Sequence, residues 1–326
     1  MLYQKIMIFP EVVMYKPKMF KEAEKSTASE NLFVNIIVFV FILLIILIAE
    51  SIIPSIMVNP ELKQFMRDNP SAGMKELVQV STELTMRPKI FLVSLLCTGF
   101  GTLISIIYCR YSEARHLSSM GVRKEKVATH YGTGLLVGIV LMTSIVLISV
   151  VTGINRISLC SDINFGLIAL FLGGFLIQGM SEEFIFRGYL MNTIGSRHNT
   201  VIAVVISGVA FSLAHLFNPG FNLLVFFNLA LFGVFAALYM IYFDDIWGVC
   251  GIHSIWNFTQ GNFYGISVSG TGDMDSVFRT TAKSSSALLT GGDFGIEGSL
   301  ITTVVLTAGA VIMFILIRKK SAQTAE

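Results

Sequence analysis

Charge is what this chain has little of. Only 13% of its 326 residues are Asp, Glu, Lys or Arg, against about 25% in an average soluble domain. Hydrophobic residues make up 54%, and the mean hydropathy is +0.73. Such a chain cannot clothe a fold of this size in a polar skin, so a soluble globular enzyme is excluded. Intrinsic disorder is excluded by the same composition. A net charge of +2 leaves no broad basic face for nucleic acid. Cysteine is sparse too: Cys97, Cys109, Cys160 and Cys250 stand apart, with no C-x-x-C pair and no Cys/His cluster. They read as small apolar residues in or near membrane helices, not as a thiolate metal site. What remains is an all-α polytopic membrane protein embedded in a lipid bilayer.

About 20 apolar residues cross a bilayer core as a helix. Eight runs are candidates: 32–49, 90–108, 131–154, a fourth from 165 to at least 180, 201–217, 223–243, a short 246–258, and 300–317. The first is not a convincing cleaved signal peptide, since thirty residues precede it and no A-x-A site follows. Residues 1–30 are a cytosolic or interfacial leader. Residues 31–163 carry the first three helices and 164–260 the next four. The stretch 54–89 is polar and suits a short surface helix. Residues 261–299, rich in Gly, Ser and Thr, read as a flexible extracellular loop. Residues 300–326 supply the last helix and a basic cytosolic tail. With eight spans both termini share one side, which collects 15 of the 23 basic residues and leaves 8 for the other. That bias places both termini in the cytosol of a multi-pass cell-membrane protein.

An ionisable group at bilayer depth is costly unless it is paired or lines a wet cavity. Three groups of polar residues interrupt the apolar runs between 180 and 260. In Ser181-Glu182-Glu183-Phe184-Ile185-Phe186-Arg187, Glu183 and Arg187 are four apart and can pair along one helix face. Glu182 is then left without a local partner, rotated by about 100°. A carboxylate in such a pocket suits general acid or base work. A charge cluster at a helix end is the plainer reading. His215 follows Phe211 by four, and His253 precedes Asn257 by four. The last two could aim donors at one point, as an oxyanion hole requires, or simply glue helices together. Taken jointly on consecutive spans, a base, a second proton carrier and an electrophilic stabiliser are the parts of peptide hydrolysis by water. Serine chemistry lacks a G-x-S-x-G, and the zinc motif H-E-x-x-H is absent. A dispersed zinc site of Glu182, His215 and His253 stays open.

Glu182-Glu183-x-x-x-Arg187, Phe211-x-x-x-His215 and His253-x-x-x-Asn257 resemble, in order and spacing, the three signature motifs of the CAAX-processing and bacteriocin-processing intramembrane protease family, whose eukaryotic members are Ras-converting-enzyme-like. The resemblance covers about residues 112–270. It implies eight membrane helices around a cavity open to the cytosol and a glutamate-dependent endopeptidase. By motif position Glu182 and His215 would hold and activate water. His253 and Asn257 would stabilise the oxyanion, and Glu183 and Arg187 would brace the helix carrying Glu182. No cofactor is expected, with zinc on Glu182, His215 and His253 as the alternative. The partner is a peptide or membrane-protein substrate. A non-catalytic membrane partner or immunity protein of the same fold, and a proton-coupled carrier, are the competing functions.

Overall fold

The computed structural model describes residues 15–325, so the first fourteen residues of the expected leader lie outside the described residues. The all-α membrane class holds. Six helices are long and apolar enough to cross a membrane. They are α2 (Leu32–Asp68), α4 (Pro88–Ser112), α5 (Val127–Val151), α6 (Phe165–Arg197), α8 (Leu223–Phe243) and α10 (Leu300–Gln323). Two shorter apolar helices, α7 (Thr200–Ala214) and α9 (Trp247–Phe258), complete the eight expected elements. Two surface pieces are α1 (Lys18–Ala23) and α3 (Met74–Thr85).

Asparagine starts four of these helices. The side chains of Asn31, Asn164, Asn199 and Asn222 each accept hydrogen bonds from backbone N–H groups of the first turn of α2, α6, α7 and α8. Such a cap satisfies donors that the helix cannot satisfy itself.

Three expectations change. First, α2 does not stop near residue 49. It runs 37 residues to Asp68 with Pro54 and Pro60 inside. Its length of about 55 Å exceeds a hydrocarbon core of about 30 Å, so its far end projects beyond the bilayer. Each proline removes one helical hydrogen bond, but the helix continues where neighbours cover the gap; Pro54 is buried. The short surface helix expected in this stretch is α3. Second, 261–299 is not a slack loop. Strand β2 (Phe278–Ala282) in it pairs antiparallel with β1 (Asn155–Leu159), Asn155 opposite Ala282 and Leu159 opposite Phe278. Its polar residues are internal ties. Glu297 accepts hydrogen bonds from Ser269 N and Gln260 Nε2, while Asn228 Nδ2 of α8 donates to the carbonyls of Glu297 and Ser299. Phe294 and Ile296 are fully buried beneath them. Third, part of the leader is built into the fold. Met19 and Phe20 of α1 are fully buried. Met19 N donates to Asp244 Oδ1, and Arg123 bridges Glu22 and Asp244.

Helices α5 and α9 approach backbone to backbone. Gly134 of α5 faces Gly248, where a Cβ would collide with the carbonyl oxygen. Only packing of small residues permits that approach. We expect Gly134→Leu to force the helices apart and lower the thermal midpoint in detergent, at a cost of at least about 1–3 kcal/mol. Gly132→Leu, where a Cβ meets nothing within 4 Å, serves as the control. Equal midpoints for the two variants would refute the close packing.

Candidate active site

Helix α6 passes through Ser181 without a break, as a shared site for Glu182 and His215 requires. It changes to π-helical hydrogen bonding over Phe184–Met191 and returns to α before Arg197. A widened turn of this kind is common where a helix must present particular side chains.

Glu183 and Arg187 point into protein, and both side chains are 0% exposed. Arg187 Nη1 lies 3.1 Å from Glu183 Oε1. The guanidinium also stands over the Phe211 ring at 4.7 Å from its centroid, a cation–π contact in a dry environment. The same Glu183 oxygen accepts from His253 Nδ1 at 2.8 Å. One buried carboxylate thus ties α6 to α9, and its cation reaches α7.

Phe211 has a second task. Its carbonyl is 2.9 Å from His215 Nδ1 and can only accept, so Nδ1 carries a proton and, in the neutral ring, the lone pair is on Nε2. His215 sits one residue past the end of α7. The fifth span was expected to reach residue 217. It stops at Ala214 because the chain turns through Asn218-Pro219-Gly220, where Gly220 has φ +77°.

Glu182 is not without a local partner. Gln178, one turn earlier, donates from Nε2 to Glu182 Oε1 at 2.5 Å. Gln178 Oε1 in turn accepts from Asn257 Nδ2 at 2.8 Å. The other Glu182 oxygen is 3.6 Å from His253 Nε2. Sequence reading missed Gln178, although its spacing of four from Glu182 inside an apolar helix repeats the Glu183–Arg187 pattern.

Glu182, His215, His253 and Asn257 line a single cavity of ≈ 140 Å³ together with Gln178, with Phe175 and Phe232 among its apolar walls. It has room for several waters. Among the described residues no three His, Cys, Asp or Glu side chains converge as a metal-ligand group. Because α7 and α9 are short, the 259–299 connection dips into the bundle, and Val268, Ser269 and Glu297 wall the cavity there. That wall belongs to the end opposite the termini. Arg115 and Arg187, both buried, drop out of the basic count, leaving 13 against 8.

Removing one member of a buried ion pair leaves the other charge uncompensated, at about 3–5 kcal/mol. We expect Arg187→Met to lower stability by about that amount, and the double variant Glu183→Gln/Arg187→Met to recover part of it. Thermal unfolding in detergent reads both. A single variant as stable as the wild type would show that the pair does not stabilise the bundle.

Residues 164–259 match the family model described as type II CAAX prenyl endopeptidase Rce1-like. No curated protein and no solved structure matches the chain. The matched residues span α6 to α9, carry all three motifs and lie inside the wider stretch where the motifs resemble CAAX-processing proteases; this segment of the multi-pass membrane protein is Rce1-like.

Proposed function

We propose that the chain is an intramembrane endopeptidase that hydrolyses a peptide bond with water activated by Glu182 and His215. The observation that carries this reading is the meeting of Glu182, His215, His253 and Asn257, from three separate helices, on one small cavity. Each is fixed by a protein partner, Gln178, the Phe211 carbonyl or Glu183, which is the preorganisation that electrostatic catalysis needs.

The chemistry follows from the hydrogen bonds. His215 presents an unprotonated Nε2 and Glu182 a carboxylate, so a water between them meets two acceptors. Its oxygen attacks the peptide carbonyl carbon while Glu182 takes a proton. The carbonyl oxygen becomes an oxyanion, which needs donors. Asn257 Nδ2 carries a second hydrogen beyond the one given to Gln178. His253 donates from Nδ1 to Glu183, so its Nε2 is a donor only when the ring holds both protons. The proton on Glu182 then passes to the leaving nitrogen as the C–N bond breaks, and Glu182 returns to the carboxylate. Gln178 holds its carboxyl plane throughout.

The substrate is a peptide or membrane protein, and the Rce1-like match supports a segment near a prenylated C-terminus. Metal-free chemistry is part of the proposal. The zinc alternative has one observation in its favour, the approach of Glu182 to His253 at 3.6 Å. Cytosolic termini remain a proposal resting on the basic count.

In a purified proteolysis assay Glu182→Gln is expected to reduce kcat by about 10²–10⁴-fold, with an unchanged thermal midpoint. Asn257→Ala, which removes one oxyanion donor, is expected to cost about 10²–10³-fold. Normal cleavage by Glu182→Gln would remove the residue from its role as base. If Glu182→Gln instead restores a deletion phenotype in full, the protein acts as a membrane binding partner or immunity protein. Treatment with a chelator should leave activity unchanged. Loss of activity that zinc restores would make Glu182, His215 and His253 ligands and end the oxyanion role of His253.

A further inference from the structure

The cavity has a second carboxylate, and the proposed mechanism does not use it. Glu297 stands in the single 3₁₀ turn Ile296–Gly298 that precedes α10, and it borders the same cavity as Glu182. The residue is 6% exposed and forms no ion pair among the described residues. A buried carboxylate without a cation is costly.

The chain around Glu297 is built to hold one of its two oxygens. Oε2 accepts from Gln260 Nε2 at 3.0 Å, from Ser269 N at 2.7 Å and from Ser269 Oγ at 3.2 Å. Gln260 is fully buried and also donates from Nε2 to the Ser267 carbonyl at 2.6 Å. Gly295 permits this packing. It has φ +100°, and a Cβ there would lie 2.0 Å from the Ser267 carbonyl oxygen. The other oxygen, Oε1, has no hydrogen-bond partner among the described residues and is not sealed in by protein. In a residue that borders the cavity, that oxygen is left for whatever enters.

Cations are what the cavity lacks. Its ionisable lining consists of Glu182 of α6, His215 after α7, His253 of α9 and Glu297, with no Lys or Arg. Arg187 lies behind the wall, paired with Glu183. Beside Glu297, Gln260 Oε1 is a further buried acceptor without a donor. A cavity with two carboxylates and no open cation favours a positively charged guest and rejects an anionic one.

Gln260 follows His253 by seven residues, along α9 and the π turn Thr259–Phe263 that continues it. Gln260 holds Glu297, and His253 stands 3.6 Å from Glu182. The two carboxylates are therefore separated by about 10 Å of helix rise. An extended peptide covers that distance in about three residues.

We propose that Glu297 is a specificity-determining residue, whose Oε1 accepts a hydrogen bond from the side-chain cation of a substrate Lys or Arg lying within about three residues of the scissile bond. The proposal rests on the protease reading of the site. Glu182 acts on the bond, and Glu297 decides which bond is presented by anchoring the basic residue. No bond is made or broken at Glu297.

The probes are apolar peptides that each carry one Lys at a successive position, and a matching set with norleucine, which keeps the stem and drops the charge. Purified protein in detergent is given both sets, and mass spectrometry maps the cuts. In the wild type the cut should move with the Lys at a fixed offset. Its kcat/KM for a Lys peptide should exceed that for the norleucine peptide by about 10-fold, the size of one hydrogen bond to a charged group. Glu297→Gln keeps an acceptor for Ser269 and Gln260 and removes the charge, so the two sets should become equivalent. Ser269→Ala removes one donor to Oε2 and keeps the charge, so the Lys preference should persist. A Lys preference that survives in Glu297→Gln overturns the proposal. So does an equal loss in Ser269→Ala, because packing of the wall and not charge would then select. A wild type indifferent to norleucine overturns it as well, and that comparison stands even if Glu297→Gln does not fold. If no peptide is cleaved, the protease reading fails and binding of the same peptides, read by fluorescence anisotropy, decides. Tighter binding of the Lys peptides by the wild type, lost in Glu297→Gln, supports the carboxylate site; equal binding of the two sets overturns it.

Discussion

The site depends on one buried carboxylate. Glu183 has no exposure and meets Arg187 on one side and His253 on the other. A charge in a dry helical bundle is tolerable only when paired, so this residue dictates where its partners stand. Arg187 is drawn inward, and its guanidinium then needs a face to lie on, which Phe211 provides. Phe211 in turn fixes the tautomer of His215 through its carbonyl. His253 is fixed through its ring nitrogen. Three helices are thereby registered to one another by a group that performs no chemistry in the proposed mechanism. Glu182, the adjacent residue, is delivered to the cavity by the helix rotation of about 100° between neighbours.

The spans were legible because an apolar run of bilayer length seldom occurs outside a membrane. Helix α8 appears at the bounds its hydropathy suggested, 223–243. The misreadings have physical causes. Pro54 and Pro60 follow the first apolar run, yet α2 continues through both, with Pro54 buried. The Gly, Ser and Thr of 261–299 read as slack, yet Ser269, Glu297 and their partners hydrogen-bond inward. Composition alone does not distinguish polar groups facing water from polar groups facing each other.

The same limit hid two residues near the cavity. Glu182, His215 and His253 stood out because an ionisable group in an apolar run is conspicuous. Gln178 is neutral and passed as tolerable within α6, although it links Glu182 to Asn257. Glu50 falls one residue beyond the first apolar run, 32–49. Only the continuation of α2 to Asp68 turns it into a mid-helix acid.

Helix α4 shows how a bundle keeps water where it is wanted. Phe91 and Leu95 face the catalytic cavity, while Ser94 and Thr98 face a groove between α2, α3 and α4. Residues three apart lie about 60° from each other around a helix, so the two stripes occupy neighbouring faces of one cylinder. Two large apolar side chains therefore stand between the smaller cavity and the wider groove. A protease working at bilayer depth needs a few waters held in fixed positions, because a site open to bulk water loses the low dielectric that strengthens its hydrogen bonds. A groove that ended in the cavity itself would flood it. One that ends on Glu50, behind the packing of Gly101 against Ser181, does not.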